Sequence, residues 1–212
     1  MQGIDKVKIW VFWIIRLLLI LGTFLSIINY DWINTALFLL TIFLTFLPSI
    51  IEHEFKIDYP SEGELVLIIF IFASMYLGEI HAFYVKFPWW DLMLHAIFGF
   101  IIADIGFMMV HILNKKKKLG LSPMFVSIFS FSFAVSIGVV WEMFEFAMDS
   151  IFGVNMQKSG LNDTMWDLIV NSIGALVVTY FGYLYLKGKV KNKIIYTIEK
   201  IFFKKNIKLF KK

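Results

Sequence analysis

The chain has 212 residues, 59% of them hydrophobic, with a mean hydropathy of +0.78. Soluble domains hold ~45–50% apolar residues, so an ordinary water-soluble globule is excluded. The formal charge of +4 conceals two unlike pieces: residues 187–212 carry ten lysines and one glutamate, net +9, and the remainder is net −5.

A bilayer core about 30 Å thick needs roughly twenty apolar residues of helix, and six segments meet that requirement. They run from about Ile9 to Ile28, Ile33 to Ile51, Leu65 to Tyr84, Asp91 to Leu113, Pro123 to Met148 and Thr164 to Leu186. The first lacks a small-residue cleavage pattern and reads as a retained helix, not a removed signal peptide. Pro60, Pro88 and Pro123 fall at or between helix ends, where a missing N–H costs little; Pro48 alone lies within a span, near its end. The predicted fold is therefore all-α, a polytopic bundle over residues 1–186 with a basic tail over 187–212.

Cytoplasmic loops are enriched in lysine and arginine. With both termini inside, the inner side collects seventeen lysines and the outer side only Lys86 and Lys158, which predicts a multi-pass protein of the cell (plasma or inner) membrane with cytoplasmic ends. The tail places Ile194, Ile195, Ile198, Ile201, Phe202 and Leu209 at roughly helical spacing among lysines. It reads either as an amphipathic helix on anionic inner-leaflet lipid or as a solvated basic end that fixes topology. Nothing frames it as a nucleic-acid recognition module.

Ionisable groups within membrane spans are expensive and call for a partner, a wet cavity or a function. Glu79, Asp91, Glu142, Glu145, Asp149, Asp163 and Asp167 all fall near the predicted outer helix ends, with His81, His95 and Asn171 at similar depth. Asp91 and His95 are four apart and share a helix face, continued by Gly99. Glu142, Glu145 and Asp149 span only about 60° at ~100° per residue. Asp163, Asp167, Asn171 and Gly174 form a second narrow stripe. Glu79 and His81 stand about 200° apart on a regular helix, so one of them faces the others, and Glu79 is the chosen candidate.

Seven carboxylates in one region cannot all stay ionised without counter-charge, and Lys86 and Lys158 supply little. Either some acids are protonated, or they face water, or they bind a cation. With no cysteine in the chain, a metal would need carboxylate, imidazole, amide or water ligands; mixed carboxylate and imidazole suit Zn, Mn or Fe, and an all-oxygen subset suits Mg or Ca. Asp91, His95, Glu142, Glu145 and Asp167 are the predicted metal ligands. Asp163 or Glu79 is the predicted catalytic base, and Asn171 would orient a ligand oxygen. The competing reading is a hydrogen-bonded network that holds helix ends together. Deeper in the membrane, Arg16, the sole arginine, matches Asp104 in depth, which suggests either an ion pair or snorkelling of Arg16 to the interface.

The chemistry is narrowed further by what the sequence lacks. There is no HExxH pattern, no Ex2H pair on the helices and no Gly-x-Ser-x-Gly, which removes the familiar helical zinc-protease, ferritin-like and serine-hydrolase arrangements. Ser130, Ser132 and Ser136 read as packing residues.

The run Trp90, Asp91, His95, Gly99, then Trp141, Glu142, Glu145, Asp149, then Gln157, Asp163, Asp167, Asn171, Gly174 resembles the YjdF-like family of uncharacterised inner-membrane proteins, over about Leu65 to Tyr185. More distantly, Asp91 with His95, and Asp163, Asp167, Asn171 with Gly174, are similar to elements of VanZ-like proteins, a group associated with resistance to a glycopeptide antibiotic. The resemblance implies a polytopic membrane protein with polar motifs at its outer face, and no reaction. Three functions fit: a metal-assisted enzyme acting on an envelope lipid or lipid-linked molecule, a small transporter or ion-binding protein, and a non-catalytic membrane partner.

Overall fold

The computed structural model describes residues 2–55, 61–153 and 155–189. Among these there is no strand, and six helical stretches are long and apolar enough to cross a membrane: Ile9–Ile28, Trp32–Ile50, Gly63–Ile80, Trp90–Lys115, Pro123–Phe152 and Leu161–Leu186. They match the six predicted segments to within a few residues. The amphipathic reading of the tail lies outside the described residues. Large apolar side chains cover the helix exteriors, among them Trp10, Trp13, Phe24 and Phe146, as befits surfaces that face lipid.

The described residues fold as two compact units, 2–90 and 91–189. The first holds α1 (Gln2–Ile28), α2 (Trp32–Leu44), α3 (Leu47–Phe55), α4 (Ser61–Ile71), a π-helical segment (Phe72–Ile80) and α5 (Phe83–Lys86). Asp31 caps α2, its carboxylate accepting from the Asn34 backbone N–H at 3.1 Å and the Asn34 side chain at 2.6 Å. The second span is broken between α2 and α3, and Pro48 explains where. It has no N–H to offer the Leu44 carbonyl four residues back, and its ring would crowd that oxygen, so α2 ends at Leu44. Ile15, Leu19, Phe38 and Ile68 form the core of this unit. Gly22 lets Phe38 lie against α1, since a Cβ there would meet the ring at 2.3 Å.

Arg16 finds its partners within this unit. Its guanidinium donates to the Thr45 hydroxyl and the Thr45 carbonyl, both at 3.3 Å, lies 3.9 Å from the Phe46 ring centre, and feels the charge of buried Glu64. An arginine within a membrane span is thus satisfied by a threonine, an aromatic face and an acid on neighbouring helices.

The third span does not keep α-helical register. From Phe72 it continues as π-helix, whose wider turn advances each residue by less than the ~100° assumed for placing Glu79 and His81. Both are exposed, and the His81 ring bonds the Tyr76 carbonyl at 3.0 Å.

The second unit is a bundle of three long helices, α6 (Trp90–Lys117), α7 (Pro123–Phe152) and α8 (Leu161–Leu186). Ser122 caps α7, accepting from the Phe125 N–H at 3.2 Å, and Pro123 sits where its missing N–H costs nothing. Ser127 and Ser130 return their hydroxyls to the Pro123 and Val126 carbonyls of their own helix, a packing role. Glycines bring the helices into near contact. A Cβ on Gly174 would meet the Ala96 carbonyl oxygen at 2.0 Å, and one on Gly99 would meet that of Asn171 at 2.0 Å. The backbones of α6 and α8 therefore touch, and that closeness sets the geometry of the polar cluster above.

Candidate functional site

α6 and α8 begin, and α7 ends, at the same end of the second unit, so α6 and α8 carry their polar residues inward from their first turns while α7 brings its own upward. Asp91 lies in the first turn of α6 and Asp163 in the first turn of α8, where the helix dipole favours negative charge. One turn further in come His95 and Asp167, joined by Glu142 of α7. These three are buried, with 7%, 1% and 4% of their surface exposed.

The imidazole of His95 has carboxylates around both nitrogens. Nδ1 stands 3.7 Å from Glu142 Oε1, and Nε2 stands 3.6 Å from Asp91 Oδ1 and 4.0 Å from Asp167 Oδ2. All three separations exceed hydrogen-bond length. Both oxygens of Glu142, both of Asp167 and one of Asp163 are buried without a hydrogen-bond partner among the described residues. Thr164 accepts a 2.7 Å bond from the Gln157 side chain, which leaves its own O–H directed to the nearby Glu142, although the two do not close to hydrogen-bond geometry. Buried polar atoms are ordinarily satisfied, so five bare carboxylate oxygens in one place are unusual.

Ligand atoms fall into two overlapping triads, His95 with Glu142 and Asp167, and Asp91 with Asp163 and Asp167; within each triad they lie within 4.8 Å of one another. Two ligands each ~2.1 Å from one ion stand about 3.4 Å apart in a tetrahedral site and about 4.2 Å apart when opposed. The observed spacings are therefore of the size a cation requires, with small adjustment. Asp167 belongs to both triads.

Not every predicted residue joins them. Glu145 is buried, but its carboxylate accepts the Trp141 indole N–H at 2.8 Å, and it is in neither triad. Asp163, expected as a base standing beside the cluster, is a member of it. Glu79 belongs to the other unit and lies in neither triad. Asn171, 1% exposed, sits between Gly99 and Gly138, where an added Cβ would strike its backbone or its amide. Its amide nitrogen reaches the Ala134 carbonyl at 3.5 Å.

Beneath Asn171 the bundle closes. Ala103, Ala134 and Ala175 are fully buried against one another, each eight residues along its helix from His95, Glu142 and Asp167 respectively, or about 12 Å at 1.5 Å per residue. The cluster thus has an apolar floor at one level on all three helices.

The opposite side is covered by the loop of residues 155–160. Asp149, predicted only as one more acid, holds this loop. Its two oxygens accept the backbone N–H groups of Met156 at 2.7 Å and Gln157 at 2.9 Å, while the Gln157 side chain ties the loop to α8. This fastening carries Lys158 over the cluster, where its ammonium meets Asp91 Oδ2 at 2.5 Å. The lysine was visible in sequence as scarce counter-charge; which acid it meets depends on the path of the loop and was not. Gly138 carried no sequence signal at all.

A family model described as a predicted membrane protein, DUF2238, matches residues 9–188. The chain belongs to this family. The match covers all six spans and every member of both triads. An uncharacterised protein of Thermotoga maritima is 29% identical over 144 residues, 68% of this chain and 73% of that one. No solved structure matches. Neither finding carries the narrower YjdF-like or VanZ-like names.

Proposed function

We propose that this DUF2238 protein binds a divalent cation through His95, Glu142 and Asp167 and uses it, as a Lewis acid, in a reaction on an envelope lipid or lipid-linked molecule. The observation that carries the reading is the set of bare buried carboxylate oxygens around His95. Such groups cost several kcal/mol each when left ionised and unpaired, and a cation at ligand distance removes that cost. Imidazole with carboxylates suits Zn, Mn or Fe. The lysine distribution orients the cluster toward the outer side of the cell membrane.

A lipid substrate is favoured by an apolar groove of about 360 Å³ lined by Phe131, Leu168, Ile169, Ser172, Ile173 and Leu176. It runs along the exposed side of α8, where Ile169, Ile173 and Leu176 face outward, and offers an acyl chain a place to lie.

Metal analysis of the purified full chain tests the binding. About one or more Zn or Mn per wild-type chain is expected, with loss in His95→Ala and Asp167→Asn. Equal, sub-stoichiometric metal in all three would refute the reading. Incubation with extracted polar lipids, followed by mass spectrometry, tests the reaction: a product that requires both metal and His95 is expected, and its absence would leave a cation-binding protein without catalysis.

A further inference from the structure

We propose that the cluster is a two-cation site in which Asp167 is the bridging carboxylate. The inference rests on the reading above and extends it: His95 and Glu142 complete one half, and Asp91 and Asp163 complete the other. Asp167 is the member common to both triads. It is the most buried acid of the cluster, and neither of its oxygens has a hydrogen-bond partner among the described residues. One carboxylate with two unsatisfied oxygens between two sets of ligands is what a pair of ions about 3.5–4 Å apart requires.

The second half already holds a positive charge. Lys158 presents its ammonium to Asp91 at 2.5 Å, and the loop that carries it is fastened by Asp149 and Gln157. A cation held by Asp91, Asp163 and Asp167 competes with that ammonium for Asp91. The two halves therefore differ: the His95 half is buried and binds first, and the Asp163 half fills as Lys158 swings toward solvent. A carboxylate-bridged pair suits two non-bridging oxygens of one phosphate group, and the substrate class is accordingly a phosphate-bearing headgroup. Its hydrolysis forms a bond from water oxygen to phosphorus as the ester P–O bond breaks, with the proton of water passing to the leaving oxygen and no change in oxidation state.

The experiment is a Mn(II) titration of the full chain in detergent, read by metal content and by electron paramagnetic resonance. Wild type is expected to bind two Mn per chain with a spin-coupled spectrum, Asp163→Asn one Mn without coupling, and Asp167→Asn to lose the coupling. Lys158→Met, outside both triads, is expected to tighten the weaker site about fivefold, the equivalent of ~1 kcal/mol. Inorganic phosphate is expected to perturb the coupled spectrum of wild type and not the signal of Asp163→Asn. One uncoupled Mn in wild type, unchanged in Asp163→Asn and Lys158→Met, would overturn the pair and leave the single-cation reading standing. No Mn at all would overturn both. A coupled pair indifferent to phosphate would overturn the substrate class alone.

Discussion

Replacing Gly174 by alanine tests the connection between helix packing and the cluster. The added Cβ would stand 2.0 Å from the Ala96 carbonyl oxygen, 3.0 Å from its carbon and 3.1 Å from the Phe100 nitrogen. All three are backbone atoms of α6, so no side chain can turn aside. Restoring an ordinary contact of 3.4 Å requires α6 and α8 to part by about 1.4 Å at this level, and Ala96 adjoins His95 in sequence. Metal–ligand distances tolerate only ~0.2 Å, so His95 and Asp167 would no longer share an ion. Overpacking of this kind costs ~1–3 kcal/mol, and loss of ligand alignment costs about 10–100-fold in metal affinity. Thermal unfolding and Mn(II) binding, measured on Gly174→Ala beside Ser172→Ala as a control, report the two effects separately. The Ser172 hydroxyl only returns to the Leu168 carbonyl of its own helix, so that variant is expected to resemble wild type. A Gly174→Ala protein with unchanged melting and unchanged affinity would refute the claim that backbone contact between α6 and α8 sets the site.

Asp149→Ala removes the acceptor of two backbone N–H groups, at a cost of about 1.5–3 kcal/mol, and is expected to speed tryptic cleavage after Lys158; equal cleavage rates would show that Asp149 does not hold the loop. Gly153 caps α7 at φ +64°, and a Cβ added there would meet no atom within 4 Å, so Gly153→Ala should cost ~1 kcal/mol of backbone strain while leaving Mn(II) affinity intact. The chain has no cysteine, and single cysteines at Lys158 and Lys116 are expected to react with an impermeant thiol reagent outside and inside the cell respectively; the reverse pattern would invert the proposed orientation. The carboxyl of Asp31 is held below its usual range by the Asn34 side chain first and the Asn34 N–H second. A lowered carboxylate contributes stability above its unfolded range and loses it as pH falls through the lowered value. Amide protection in the first turn of α2 should therefore drop in acid for wild type, and Asp31→Ala should lack that protection at neutral pH.

The six spans were legible because apolar runs of this length allow little else, and the approach of Asp91 to His95 was legible because a regular α6 places residues four apart on one face. The Asp163, Asp167, Asn171 and Gly174 stripe was readable for the same reason. Register failed where regularity failed: the π-helical turn from Phe72 is written in ordinary apolar residues, and no composition marks it. Glu142, Glu145 and Asp149 share an edge of α7, yet they separate into a triad member, a partner of Trp141 and a loop anchor. Those fates depend on hydrogen-bond donors supplied by an indole and by a loop, and on where the loop passes. The break after Leu44 was signalled by Pro48, although its effect on the helix was larger than a proline near a span end suggests.

The apolar floor has an electrical consequence. His95 lies five residues into α6, about 7.5 Å, or roughly a quarter of a ~30 Å hydrocarbon core. A full crossing is worth ~2.3 kcal/mol per charge per 100 mV, so a divalent ion that stops at this depth exchanges only about 1.2 kcal/mol with the membrane potential. Occupancy of a divalent ion at this depth would shift by about sevenfold per 100 mV, against a far larger shift for a complete crossing by the same ion at ~4.6 kcal/mol, an attenuation set by how shallow the cluster lies.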